Sequence, residues 1–283
     1  MANEQVALVT GASRGIGRGV AIALGKASWT VYLTGRTTEE GATSLPLPGS
    51  LQSTAHAIDE AGGKAIPIRC DHRDDDQVRD VIERIARERV HLDLLVNGVW
   101  GGYERFVADA PPNFGPFWEQ PLDLWDSMHA AGLRSAYVAS SLCAPLMLDS
   151  PGGLIVCLSS FAARNYVTSV AYGVAHAGVD RMVADMAVEL ESTPVTVVAL
   201  YPGIVRTENV LRNAEYVDLS NSESPEFIGR AVLALFDDER RTMKSGQALV
   251  VAELAGQYGF ADVDGATPRS LRGELTGPLT PGA

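Results

Sequence analysis

The chain has 283 residues, 46% of them hydrophobic, a formal net charge of −12 at pH 7 and three cysteines. That acidity argues against nucleic acid and against anionic membrane surfaces, neither of which attracts a negatively charged protein. No run reaches the ~20 apolar residues of a membrane span, no basic leader precedes the first strand, and Cys70, Cys143 and Cys157 sit far apart in apolar stretches, as reduced core thiols of a cytoplasmic protein do, with no disulfide and no metal set.

The first apolar run, Val6 to Val9, is followed at once by Thr10-Gly11-Ala12-Ser13-Arg14-Gly15-Ile16-Gly17 and then by a helical pattern. A strand, a glycine-rich turn and a helix in that order make a phosphate cradle. Gly11 serves a turn too tight for a side chain, and Gly15 and Gly17 leave room for a pyrophosphate and for close helix–sheet packing. The helix opening near Arg14 offers unpaired N–H groups to an anion.

Further strand candidates follow at 30–34, 65–69, 92–96, 153–158, 195–200 and 247–252, each separated from the next by a helical pattern or a loop. Such alternation predicts an α/β fold: a single doubly wound Rossmann-type domain over residues 1–255, with a mostly seven-stranded parallel sheet. Residues 256–283, rich in Gly, Pro and Thr, are expected to form an irregular C-terminal tail. Two loops break the rhythm. One runs from Thr37 to Ser50; the other, Gly101 to Leu122, carries four prolines beside Phe106, Phe114, Phe117 and Trp118. Its aromatics suit either a substrate wall or a self-packed surface loop.

The spacing T-G-x-x-x-G-x-G, Asn97-Gly98 after the fourth strand, Tyr172 opening a helix after Ser159-Ser160, and Tyr201-Pro202-Gly203-Ile204-Val205-Arg206-Thr207 after the sixth strand occur in one order. Together they resemble the short-chain dehydrogenase/reductase (SDR) family over roughly residues 5 to 255. Gly132, the stretch from Trp118 to Asp126 and the stretch from Glu253 to Gly265 resemble its subgroup of the dehydrogenase/reductase SDR family member 1 type. The resemblance implies a nicotinamide dinucleotide held by Gly11, Ser13, Arg14, Gly15, Ile16 and Gly17. It places Asp71 at the adenine, Asn97 and Gly98 at a ribose, Tyr172 and His176 also among the cofactor-binding residues, and Pro202, Gly203 and Thr207 beside the nicotinamide. An acidic residue ending the second strand would bind a ribose 2′-hydroxyl; this chain has Arg36 there and Arg14 in the turn. Two guanidiniums suit a 2′-phosphate, so NADP(H) is favoured over NAD(H).

In this family a Tyr protonates the carbonyl oxygen, a Ser holds it, and a Lys four residues after the Tyr lowers its pKa. Tyr172 matches the acid. Ser160 matches the Ser by its position after the strand, although the more usual interval of thirteen residues points to Ser159. At the Lys position stands His176, and Gly132 stands where the family has an Asn that links the Lys to solvent through a water. Joint replacement predicts a changed proton relay: His176→Lys should raise alcohol oxidation at pH 7–8, and the double change with Gly132→Asn tests whether the missing Asn limits that gain. The reading is an NADP(H)-dependent oxidoreductase that reduces a small lipophilic ketone, aldehyde or quinone. The alternative is a catalytically silent dinucleotide-binding protein acting as a sensor or interaction partner. Family members pair through helices corresponding here to about 122–148 and 171–191, which predicts a homodimer or homotetramer.

Overall fold

The structure is a computed structural model and describes residues 5–41, 46–89, 91–102, 115–148 and 152–275. Its central sheet has seven strands: β1 (Val6–Thr10), β2 (Thr30–Gly35), β3 (Lys64–Arg69), β4 (Leu94–Asn97), β5 (Leu154–Leu158), β6 (Thr196–Tyr201) and β9 (Ala248–Val250). They lie in the order β3-β2-β1-β4-β5-β6-β9, every neighbouring pair parallel. A short parallel pair, β7 (Ile204–Val205) and β8 (Ser222–Glu223), stands apart from it.

Burial on both faces explains why the central strands are unbroken apolar runs. In β1, Ala7 and Val9 point to one face and Val6 and Leu8 to the other, as the two-residue period of a strand requires. The first face is covered by α1 (Gly15–Lys26), α2 (Leu51–Glu60), α8 (Pro225–Asp237) and α9 (Val251–Tyr258). On the second lie α3 (Asp75–Glu88), α5 (Ser135–Leu148) and α6 (Val170–Glu189). A shorter helix, α4 (Leu122–Ser127), runs through a π-helical stretch, Met128–Arg134, into α5.

Two expectations need correction. The last strand ends at Val250, because Val251 already opens α9. Nor are the residues after Gly256 a plain tail. α9 continues to Tyr258, and Asp262, buried, accepts hydrogen bonds from the Ser224 N–H and hydroxyl and an ion pair from Arg206 at 3.0 Å. A final turn, α10 (Arg272–Leu275), is held by Arg272 on Glu253 at 2.8 Å. Residues 276–283 lie outside the described residues. The three free cysteines are buried; burial pushes Cys70 and Cys157 up to about 12 and Cys143 up as well, so all three stay protonated thiols. Among the described residues no helix is long and apolar enough to cross a membrane.

Candidate active site

Strand order reverses between β1 and β4, and a cavity of about 660 Å³ opens at their carboxyl ends, where open α/β sheets take their ligands. The glycine turn forms its floor. Gly11 has φ +70°, and a Cβ on it would lie 2.7 Å from the Gly98 carbonyl oxygen. A Cβ on Gly17 would lie 2.4 Å from the Gly11 oxygen, so α1 closes on the sheet only because both are glycine. Thr10 ties the two strand ends together, its hydroxyl accepting the Gly98 N–H at 3.1 Å. At the opening of α1 the Gly15 N–H donates to the Glu208 carboxylate at 2.8 Å. A protein anion therefore rests where the helix dipole favours negative charge. Glu208 opens the short helix α7 (Glu208–Arg212), capped by Thr207, and was not legible as a partner of the turn 193 residues earlier.

One end of the cavity is charged. Arg36 follows β2 and is exposed, and Arg14 lies near enough for the two cations to repel. Arg14 is also tied to the loop after β2, its Nε donating to the Pro48 carbonyl at 3.1 Å and its Nη2 to that of Gly49 at 2.9 Å. Asp71 pairs with Arg73 at 2.6 Å, and that hydrogen bond holds its carboxyl down at about 2. Beside it His72 is buried, with Nε2 2.8 Å from the Thr34 hydroxyl. Burial lowers its pKa to about 4.

The other end is apolar and ringed by aromatic groups. Ser169 caps α6 by accepting the Tyr172 N–H at 3.2 Å, which seats Tyr172 in the first turn. Burial raises the Tyr172 pKa and a hydrogen bond with Ser160 opposes it. Ser159 is turned away, donating to Asp180 at 2.8 Å, while the Tyr201 hydroxyl binds the other carboxylate oxygen. His176, one turn beyond Tyr172, is 5% exposed, and burial lowers its pKa to about 3. Both its ring nitrogens lack a hydrogen-bond partner among the described residues.

Trp100 supplies what spacing alone did not convey. Its ring lies parallel to the His176 imidazole, with centroids 4.1 Å apart. A Cβ at position 132 would come within 2.7 Å of its Cζ3. The double change His176→Lys with Gly132→Asn therefore meets an obstacle, since an asparagine side chain there collides with the indole. The unusual Trp100 stood in the sequence, but its contact with residue 132 requires the fold.

Every residue expected at the site borders this cavity except one. Asn97 instead points into the α5 side of the sheet, donating to the Ser140 hydroxyl at 3.0 Å and facing the Cys157 sulfur at 3.5 Å. Strand alternation at the end of β4 puts its side chain in the core and leaves Gly98 at the cavity. Gly203 has an unforeseen partner as well: its N–H donates to the buried Glu223 carboxylate at 3.0 Å, and a Cβ would lie 2.8 Å from the other oxygen. Burial pushes Glu223 up to about 7. Of the loop aromatics, Phe117 and Trp118 are exposed; Phe106 and Phe114 lie outside the described residues. Among the described residues no cluster of metal-ligating side chains occurs.

The short chain dehydrogenase family model matches residues 5–216. The chain is 38% identical to dehydrogenase/reductase SDR family member 1 of Mus musculus over 275 residues, covering 92% of this chain and 84% of that protein. With the Homo sapiens protein of the same name it shares 37% over 277 residues, 93% and 84% of the two chains. Among solved structures, a short-chain type dehydrogenase/reductase from Mycobacterium marinum superposes with a TM-score of 0.71 at 26% identity, over 87% of this chain and 93% of that one.

Proposed function

The chain belongs to the short-chain dehydrogenase family, and from that premise we propose that it reduces small lipophilic carbonyl compounds with NADPH. The family is one of oxidoreductases that use a nicotinamide dinucleotide. The cavity fits such a group: glycine backbone where a Cβ would intrude, two guanidiniums at one end, and unpartnered imidazole nitrogens at the other. When bound, that cofactor supplies the hydride.

The remaining steps fall to the protein. Arg14 and Arg36 are the groups that would bind a 2′-phosphate. The Ser160 hydroxyl donates to the carbonyl oxygen of the substrate and orients it. Tyr172 gives its phenolic proton to the same oxygen as charge builds there. Reduction begins with Tyr172 protonated, the form its burial favours. Oxidation would need the phenolate, and against burial Tyr172 has only the Ser160 hydrogen bond. His176, neutral at physiological pH, would offer a ring nitrogen to a ribose hydroxyl but lends no positive charge.

The observation that carries this reading is that Tyr172 and Ser160 both line the wall of the same cavity that the glycine turn floors. The test is NADPH consumption with a panel of ketones, aldehydes and quinones, beside an NADP⁺ binding titration. Tyr172→Phe should cut the rate by ~10²–10⁴ and leave cofactor affinity intact. A panel without turnover, together with NADP⁺ binding, favours the second reading, a silent dinucleotide-binding protein. The neutral, enclosed His176 is the observation on that side.

The assembly proposed is a homodimer or homotetramer formed through α4–α5 and α6. Tyr137 and Leu148 on one and Val174 and Val188 on the other are exposed. Sedimentation at micromolar concentration should give at least twice the 30.1 kDa monomer; a monomer mass rejects it.

A further inference from the structure

Three rings from two separate segments form one cluster at the enclosed end of the cavity. Trp100 follows β4 and lies face to face on His176, the planes 6° apart. It meets Tyr172 edge-on at 5.6 Å, and Tyr172 meets His176 at 4.5 Å. Gly132 packs against the six-membered ring of the indole, where a Cβ would lie 2.7 Å from Cζ3 and 2.8 Å from Cε3. Small and aliphatic groups complete the packing: Leu124, Met128, Ala171 and Ala175.

The charged and titratable groups around the imidazole are few. On its own helix, Tyr172 is in ring contact, and Asp180 on the following turn is engaged by Ser159, Tyr201 and, at 3.9 Å, Arg164. On the π-helical stretch, His129 stacks on Trp125 instead. The segment after β4 contributes Trp100. No carboxylate among the described residues pairs with His176, so nothing offsets the loss of water. Burial lowers the pKa of the imidazole, whereas a cation over an indole face is attracted to it, which acts in the opposite sense.

We propose that Trp100 is the positioning residue of this site: by stacking on His176 it fixes the imidazole plane and bars water from that side of the Tyr172–His176 pair. Removing the indole opens a space beside a polar ring, which water fills, and the imidazole regains its ordinary titration. Only the consequence for rate rests on the proposed activity; the stack and its effect on His176 do not.

The test is histidine NMR on the cofactor-free protein from pH 8 to pH 4.5, with His176 assigned among the five histidines by His176→Gln. In the wild type, His176 should show no titration over this range. Trp100→Ala should bring its midpoint to about 5.5–6.5, near the ordinary histidine value, whereas Trp100→Phe, which keeps a ring on the imidazole, should leave it silent. If Trp100→Ala lacks the wild-type circular dichroism, Gly132→Ala serves instead, since its methyl must push the indole aside, and the same midpoint is expected. A wild-type His176 that titrates near ~6.5, or one that stays silent in a folded Trp100→Ala or Gly132→Ala protein, overturns the proposal. None of these readouts needs turnover. A working reductase whose His176 ignores residue 100 would sink this inference alone, and an inactive protein whose His176 responds would sink only the proposed activity.

Discussion

At one end of the cavity Arg36 is exposed, Asp71 pairs with Arg73, and Arg14 grips the carbonyls of a neighbouring loop. At the other, Trp100, Tyr172 and His176 lie ring against ring, with His176 5% exposed. The first end works by charge and backbone N–H groups, which act on one another through space. The second works by packing, in which residue 132 is glycine because residue 100 is tryptophan. Substitutions at the packed end, whose side chains touch, should therefore depart from additivity more strongly than those at the charged end.

The largest effect expected at the charged end is a change of cofactor preference. NADPH should bind at least about tenfold tighter than NADH, a charge-assisted contact being worth ~1.5–3 kcal/mol. Arg36→Asp should invert that preference without help from any second change. Calorimetry giving equal affinities in the wild type would remove the functional basis for the contrast between the two ends.

A smaller effect is expected at the packed end. Gly132→Asn should destabilise the fold by about 1–3 kcal/mol, because it drives a side chain into the indole. Trp100→Ala should absorb most of that cost, so the double variant should be markedly more stable than the two single effects predict when added. Thermal or denaturant unfolding of the four proteins measures this. Strict additivity would mean that residues 100 and 132 are not one unit.

The local features of both ends were readable from sequence, and the contacts between distant segments were not. Gly11, Gly15 and Gly17 announce themselves by spacing, because a turn and the helix after it are local structure. Tyr172 is equally local, four residues before His176 on one face of α6. The sheet followed from alternation, since a buried strand and an amphipathic helix leave different periods. Asn97 was misplaced because its neighbours in sequence face the cavity while strand alternation turns its own side chain inward. Glu208 on Gly15, Glu223 on Gly203, and Trp100 against Gly132 join residues far apart in the chain. No period encodes such pairs, and only the closed fold brings them together. The anchoring of Asp262 under Ser224 escaped for the same reason, hidden in a segment whose composition suggested a loose tail.

The central claim is that Tyr172 works as an acid beside an uncharged His176. It is tested most directly by the pH at which oxidation appears. Equilibrium fixes the ratio of forward to reverse kcat/KM at any one pH, so the profile of each direction is the informative quantity. With one carbonyl–alcohol pair that is turned over measurably, reduction by the wild type should be well developed at pH 7, and alcohol oxidation should emerge only at clearly alkaline pH. His176→Lys, together with Trp100→Ala to make room, should move the onset of oxidation toward pH 7–8. Brisk alcohol oxidation by the wild type at pH 7, or an onset that stays put in the variant, would contradict the account.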